Sequence, residues 1–218
     1  QIVIIKTQGD QVQNLSFDKL EGKGFFTKEI EDTLLNEEVD VAVHSMKDLP
    51  TDHPKGLVIG GISERANPQD FLIIHPDSYD KHSILKIMKN STVGTSSIRR
   101  KVLLRSFQDD LKFKDIRGNV PTRVKKLNSS PELDAIVLAA AGIERLKIDL
   151  AQFEVVKLNA KEFPSAPAQG VLAYQCREND LEIRRLLNAL NSAETLQCTN
   201  VERQILKLMQ GGCQLPLG

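Results

Sequence analysis

The chain has 218 residues, 40% of them hydrophobic and 27% charged. That is enough apolar material for one large or two modest domains, and a folded rather than a disordered protein is expected. Twenty-nine Lys and Arg balance 29 Asp and Glu, which argues against a general nucleic-acid coat but leaves room for a local basic cleft.

In chain order, Ile2-Val3-Ile4-Ile5 reads as a fully buried strand. An apolar run at the first residues and a loop at the last suggest an excerpt of a longer chain. Thr7 to Gly22 is polar and loop-like and contains Lys19, with Lys23 just beyond. From Gly24 a helix is expected, with Phe26, Ile30 and Leu34 inward and Lys28, Glu31 and Asp32 outward. Val39, Val41 and Val43 alternate as a buried strand that breaks into His44-Ser45-Met46-Lys47-Asp48 and closes at Leu49-Pro50. Leu57 to Gly60 gives another strand. The polar stretch from Ser63 to Pro68 reads as a hinge or domain crossing.

Strand-to-helix units follow. Phe71 to Ile74 is a strand. Ser91 to Gly94 is another, leading into Thr95-Ser96-Ser97-Ile98-Arg99-Arg100, where Ser96 or Ser97 would cap a helix. Phe113 to Ile116 leads into Arg117-Gly118-Asn119-Val120-Pro121-Thr122-Arg123, with Asn119 as cap, Pro121 in the first turn, and Val120, Val124 and Leu127 on one face. Asp134 to Leu138 leads into Ala139-Ala140-Ala141-Gly142 and then Ile143-Glu144-Arg145. The alternation predicts an α/β sheet, largely parallel. Phe163 to Gly170, rich in Pro and Ala, reads as the return crossing, and Val171 to Gln175 as a strand. Ile183, Leu186, Leu187 and Leu190 mark a helix. A last helix carries Cys198, Val201, Ile205 and Leu208 on one face and stops at Gly211-Gly212.

The expected fold class is therefore α/β, as two hinged lobes whose topology resembles that of hinged binding proteins. The expected domains are 1–63 plus 171–188, then 69–164, then 193–218. No apolar run reaches membrane-spanning length, and no signal-peptide pattern opens the chain.

Three segments repeat one device. Thr95, Ser96 and Ser97 with Arg99 and Arg100, Asn119 with Arg117 and Arg123, and Gly142 with Arg145 each place cations beside an expected strand-to-helix turn. Helix N-termini attract anions, and an Arg fork matches a carboxylate or phosphate. With Lys19, Lys23 and Lys47 added from the first lobe, the set implies a polyanionic ligand. The plainer reading of any single Arg is a solvated helix face, and of Lys47-Asp48 a loop ion pair. P-loop and dinucleotide glycine spacings are missing, so several carboxylates along an extended ligand fit better than a nucleotide. Aromatics are 5% of the chain and Trp is missing, so base stacking on single strands is poorly provided for. Cys176, Cys198 and Cys213 lack C-x-x-C spacing, and His44, His53, His75 and His82 lack ligand spacing, so neither a disulfide framework nor a metal is expected. Cys176 and Cys198 read as core thiols. Cys213, on a Gly-rich loop, reads either as an unremarkable loop thiol or as the one cysteine suited to a covalent adduct.

The motifs His44 to Pro50, Gly94 to Arg100, Arg117 to Arg123, Ala141 to Arg145 and Gly211 to Gly218 closely resemble, in order, those of the porphobilinogen deaminases, or hydroxymethylbilane synthases. The resemblance implies two lobes like those of type II periplasmic binding proteins with the start of a third α+β domain, and a cytoplasmic, monomeric transferase that joins four porphobilinogens head to tail, in tetrapyrrole and haem biosynthesis, with no nucleic-acid or membrane partner. It further implies a dipyrromethane cofactor on a thioether to Cys213 and a catalytic Asp48. Lys47, Thr95, Ser96, Ser97, Arg99 and Arg100, with Asp48, would hold the cofactor. Arg117, Arg123, Arg145, Lys19, Lys23 and Gln169 would receive substrate. The family's first strand and helix, with their Arg-x-Ser motif, and most of its third domain have no match in this chain. The rival expectation is a non-catalytic two-lobed anion-binding module.

Overall fold

A computed structural model describes residues 1–5, 7, 27–209 and 216–218. Lys19, Lys23 and Cys213, and the expected helix start at Gly24 and Phe26, lie outside the described residues. The chain divides into two compact units, Gln1–Ala66 with Pro167–Cys213, and Asn67–Ala166 with Gln214–Gly218. No helix among the described residues is long and apolar enough to cross a membrane.

The first unit holds α1 (Lys28–Leu35), β1 (Ala42–Ser45), a 3-10 turn (Met46–Asp48), β2 (Leu57–Ile62), β8 (Leu172–Arg177), α5 (Leu181–Asn188) and α6 (Ala193–Leu208). Its three strands run in the order β1-β8-β2, with both pairings antiparallel. Ile2 to Ile5 is not a strand, and Ile2 is 92% exposed. A strand needs a ladder partner, and none of the three paired strands offers it one among the described residues.

The β1 register also differs from the alternation of its valines. Ala42, His44 and Met46 are buried while Val43 is 59% exposed. Because side chains alternate, a polar partner that claims His44 turns Val43 outward. Glu31 is likewise buried rather than outward, for the same reason: Gln175 lies across from it.

β2 slips register against β8 between Ile59 and Gly61, and the slip falls on the pair Gly60-Gly61. A Cβ on Gly61 would overlap the Leu187 carbonyl of α5, and one on Gly60 would meet Leu187 Cδ1 at 2.8 Å. Gly61→Ala should therefore cost about 1–3 kcal/mol, read as a lower urea midpoint at constant slope. An unchanged midpoint would mean that α5 lifts off the strand without penalty.

The apolar face expected for the last helix is its exposed one. Val201 and Leu208 are 61% and 73% exposed, and Cys198 is exposed too. The face turned into the unit is instead Thr195, Thr199 and Arg203, at helical spacing. Cys176 is buried, and burial raises its thiol pKa, which suits an unreactive thiol.

The second unit holds β3 (Asp70–Ile74), β4 (Thr92–Gly94), α2 (Ile98–Phe107), β5 (Lys112–Lys114), α3 (Val120–Ser129), β6 (Ala135–Ala139), α4 (Ala140–Arg145) and β7 (Glu154–Lys157). One sheet runs β5-β4-β6-β3-β7. β4 is parallel to β5 and β6, whereas β3 is antiparallel to β6 and β7, so the sheet is mixed rather than largely parallel. Its two faces carry separate cores, one around Phe71, Ile73, Ile136 and Leu127, the other around Leu72, Ile74, Val137 and Phe163. Ser97 caps α2 and Asn119 caps α3, by side-chain oxygens that accept from Arg100 N and Thr122 N.

Candidate active site

In the first unit, β1 stops at Ser45 and the chain tightens into the 3-10 turn. Met46 and Leu49 bury their side chains, Lys47 is half-buried, and Asp48 is exposed. Lys47 Nζ donates to Gln169 Oε1 at 3.3 Å, and Gln169 itself is only 1% exposed. Gln169 belongs to the return crossing, which runs beside the outgoing one. Ser63 N donates to Leu172 O, Ala66 N to Gly170 O, and Arg65 Nε to Gln169 O. Gly170 sits at φ +91°, and a Cβ there would meet the Ala66 carbonyl at 2.5 Å.

Behind the turn, His44 Nε2 lies 3.1 Å from Gln175 Oε1, and Gln175 Nε2 donates to Glu31 Oε1. A carboxylate only accepts, so the Gln175 amide nitrogen faces Glu31 and its oxygen faces His44. The network thus assigns the His44 proton to Nε2. Burial lowers the pKa of His44, against the hydrogen bond to Gln175, so a neutral imidazole fits. Arg203 from α6 donates to the carbonyls of Met46, Leu49 and Pro50. None of His44, Glu31, Gln175 and Arg203 was marked as a site residue by the sequence. The stripe Thr195, Thr199, Arg203 was the available signal for the last of them.

In the second unit, β4, β5 and β6 are parallel neighbours, so the turns that leave them share one sheet edge. The amino end of antiparallel β3 joins that edge, since Asp70 pairs with Ala139. This is the edge where α/β sheets place ligands. Thr95 is buried and accepts from Ser97 N through Oγ1. Ser96 Oγ donates to Ile116 O and accepts from Ile116 N, stitching two of the turns together.

Arg99 and Arg100 are 4% and 6% exposed. Both grip Asp70: Arg99 Nη2 to Oδ2 at 2.7 Å and Arg100 Nη2 to Oδ1 at 2.6 Å. Their other terminal nitrogens donate to Pro164 O and Val137 O. Burial pushes the Asp70 carboxyl up, but Arg100 and Arg99 outweigh it and hold the pKa down at about 2. Burial and then Arg100 pull Arg99 below its usual value, against Asp70, yet a guanidinium stays charged. Among the described residues two guanidinium groups share the Asp70 carboxylate, which leaves an excess positive charge, and the Nε of each Arg is buried with no hydrogen-bond partner. The sequence singled out both arginines but not the aspartate between them.

Of the remaining expected residues, Arg117 is half-buried on the turn after β5 and Arg123 is half-buried in the first turn of α3, from where its Nε donates to Gly118 O at 2.6 Å. Arg145 is exposed and stands in the last turn of α4, not at its amino end. Asp48, Lys47 and Gln169 belong to the first unit, and Thr95 to Arg100, Arg117, Arg123 and Arg145 to the second. Among the described residues no group of three or more His, Cys, Asp or Glu is arranged to hold a metal ion.

A family model described as the dipyromethane cofactor binding domain of porphobilinogen deaminase matches residues 1–185. The chain belongs to the porphobilinogen deaminase family. Curated porphobilinogen deaminases include one from Synechococcus elongatus, 42% identical over 98% of this chain and 66% of the relative. Another, from Fusobacterium nucleatum, is 43% identical over 98% of this chain and 70% of the relative. The chain thus spans about two thirds of the length of the curated family members it matches. Among solved structures, the methionine binding protein MetQ aligns with a TM-score of 0.45 at 14% identity, over 79% of this chain and 78% of that one.

Proposed function

We propose that this chain serves the deamination of porphobilinogen and the head-to-tail joining of four units into hydroxymethylbilane. The reading carries a dipyrromethane cofactor on a thioether to Cys213. The supporting observation is the Asp70–Arg99–Arg100 cluster, with its excess positive charge and two Nε donors without a partner among the described residues, on the elements at the ligand edge of the sheet. Each porphobilinogen brings two carboxylates, so a chain of them is a polyanion of the kind such a cluster binds.

Arg99 and Arg100, with Thr95, Ser96, Ser97 and Lys47, are assigned the carboxylates of the cofactor. Arg117, Arg123, Arg145 and Gln169, with Lys19 and Lys23, are assigned those of the substrate and growing chain. Asp48 takes the reacting centre. The carbon–nitrogen bond of the protonated aminomethyl group breaks, ammonia leaves with the electron pair, and the methylene carbon is left electron-poor. The Asp48 carboxylate stabilises that developing charge. A carbon–carbon bond then forms to a pyrrole α-carbon, and the ring proton displaced there passes to Asp48 or to water. When bound, the cofactor supplies the pyrrole on which the chain is begun. The same reading puts the protein in the cytoplasm as a monomer with no nucleic-acid or membrane partner, in keeping with balanced charge and free Cys176 and Cys198.

The test is the intact mass of the protein after exposure to porphobilinogen, with an acidic aldehyde reagent that colours dipyrromethanes. An adduct of two deaminated porphobilinogens, lost in Cys213→Ser, is the expected result. The same adduct in Cys213→Ser would move the attachment elsewhere, and no adduct on the wild-type protein would remove the cofactor from this chain.

A further inference from the structure

The feature that the reaction scheme leaves unused is Arg203. Its side chain crosses from α6 to the 3-10 turn and makes three hydrogen bonds to main-chain carbonyls. Nη1 donates to Met46 O at 3.2 Å and to Leu49 O at 3.1 Å, and Nη2 donates to Pro50 O at 2.6 Å. These carbonyls bracket Lys47 and Asp48 on both sides. Within the turn itself, Leu49 N to Met46 O at 3.3 Å is the closing bond, and Pro50 has no N–H to offer. A three-residue 3-10 turn is a weak structure by itself. A planar guanidinium with five donors can hold three carbonyls at fixed angles, which an ammonium cannot do.

The neighbours of Arg203 explain why α6 is able to hold still while it does this. Glu202 grips Arg65 with both oxygens, Arg65 Nη1 to Oε1 at 2.5 Å and Nη2 to Oε2 at 3.1 Å, and also accepts from Ala168 N. Lys207, one helical turn on, pairs with Asp52 at 2.6 Å. The helix is thus fixed to both chain crossings and to the far side of the turn. Burial lowers the Arg203 pKa, but the group remains a cation that the three carbonyls solvate in place of water.

We infer that Arg203 is a positioning residue, which fixes the main chain around Lys47-Asp48 so that the Asp48 carboxylate is held at the reacting centre. The inference rests on the reading of Asp48 given above. Displacing a reacting group by about 1 Å costs on the order of 10²-fold in rate.

The experiment uses the full-length protein loaded with cofactor, with Arg203→Lys and Arg203→Ala beside the wild type. Expected for Arg203→Lys is a fall in kcat of about 10–100-fold with KM within about threefold, and faster amide exchange confined to residues 46–50. Added methylguanidine should restore part of the kcat of Arg203→Ala. A kcat within about twofold of wild type, or equal changes in kcat and KM with faster exchange across the whole unit, would overturn the role. Should both variants fail to fold, amide exchange on the wild-type protein still decides. The Leu49 amide must be protected as well as those of β1, and free exchange there overturns the claim. If the wild type makes no tetrapyrrole, the functional reading falls, and the same Leu49 measurement decides separately whether the turn is held.

Discussion

Asp48→Asn should lower the rate of tetrapyrrole formation by about 10²–10⁴-fold, the range for loss of a positioned acid–base group. Asn keeps the shape of the side chain and removes the charge, so a positive methylene carbon loses its counter-charge and the ring proton its acceptor. Stability should hardly move. Asp48 is exposed, and surface substitutions away from special features stay within about 0.5 kcal/mol. Cofactor attachment should also survive, because the proposed thioether is at Cys213 and not at Asp48. The measurement is the steady-state rate of porphyrin absorbance after acid oxidation of the product, alongside intact mass and a melting curve. Turnover within threefold of wild type would remove Asp48 from the reaction, and a melting point lowered by many degrees would make it a structural residue.

The largest stability effect belongs to Asp70. In Asp70→Asn, Arg99 and Arg100 keep their buried positions and lose the anion that they share among the described residues. Breaking a buried pair from one side costs about 3–5 kcal/mol, because a charge is left uncompensated. Acid should act on the same group in a defined window. The folded pKa of Asp70 is about 2, lowered from 3.8. The carboxylate therefore contributes stability above its unfolded value, and that contribution fades as pH falls from about 5 toward 2, by roughly 2 kcal/mol in all. Urea unfolding of the wild type and Asp70→Asn across that range should show the gap between them narrowing as the pH drops. A gap that stays flat would mean that Asp70 is not an anion in the folded protein at neutral pH.

What could be read from the sequence was what is local. Ser97 and Asn119 cap the helices expected of them, and Val124 and Leu127 bury as their spacing requires, since a cap and a helical stripe are decided within a few residues. Strand direction is decided elsewhere. β3 has the same apolar run whether it lies parallel or antiparallel to β6, so the mixed sheet was hidden. β7 has only Val155 and Val156, both partly buried, between exposed Glu154 and Lys157, too short an apolar run to mark a strand. The valines before His44 suggested the wrong buried face because the choice depends on Gln175, on the far side of the chain. Asp70 stood unnoticed for the same reason, well before the two arginines that it joins. On α6 the apolar pattern was real but faces outward, and the face that docks is carried by two threonines and a charge. Candidate residues next to a motif were therefore visible, while those that brace a motif from another element were not.

The strand order of the first unit has a consequence for how the protein is made. β8 lies between β1 and β2, and these two do not pair with each other. As the chain leaves the ribosome, β1 and β2 emerge before β8, their partner among the described strands, while Asn67–Ala166 emerges next with every described strand of its own sheet. The second unit can therefore finish folding while the first waits as open strand edges for residues 172–177. Such edges invite pairing with other chains. A pause in synthesis between residues 66 and 172 is thus the moment at which a nascent chain is most exposed to aggregation, and the best point for a chaperone to hold it.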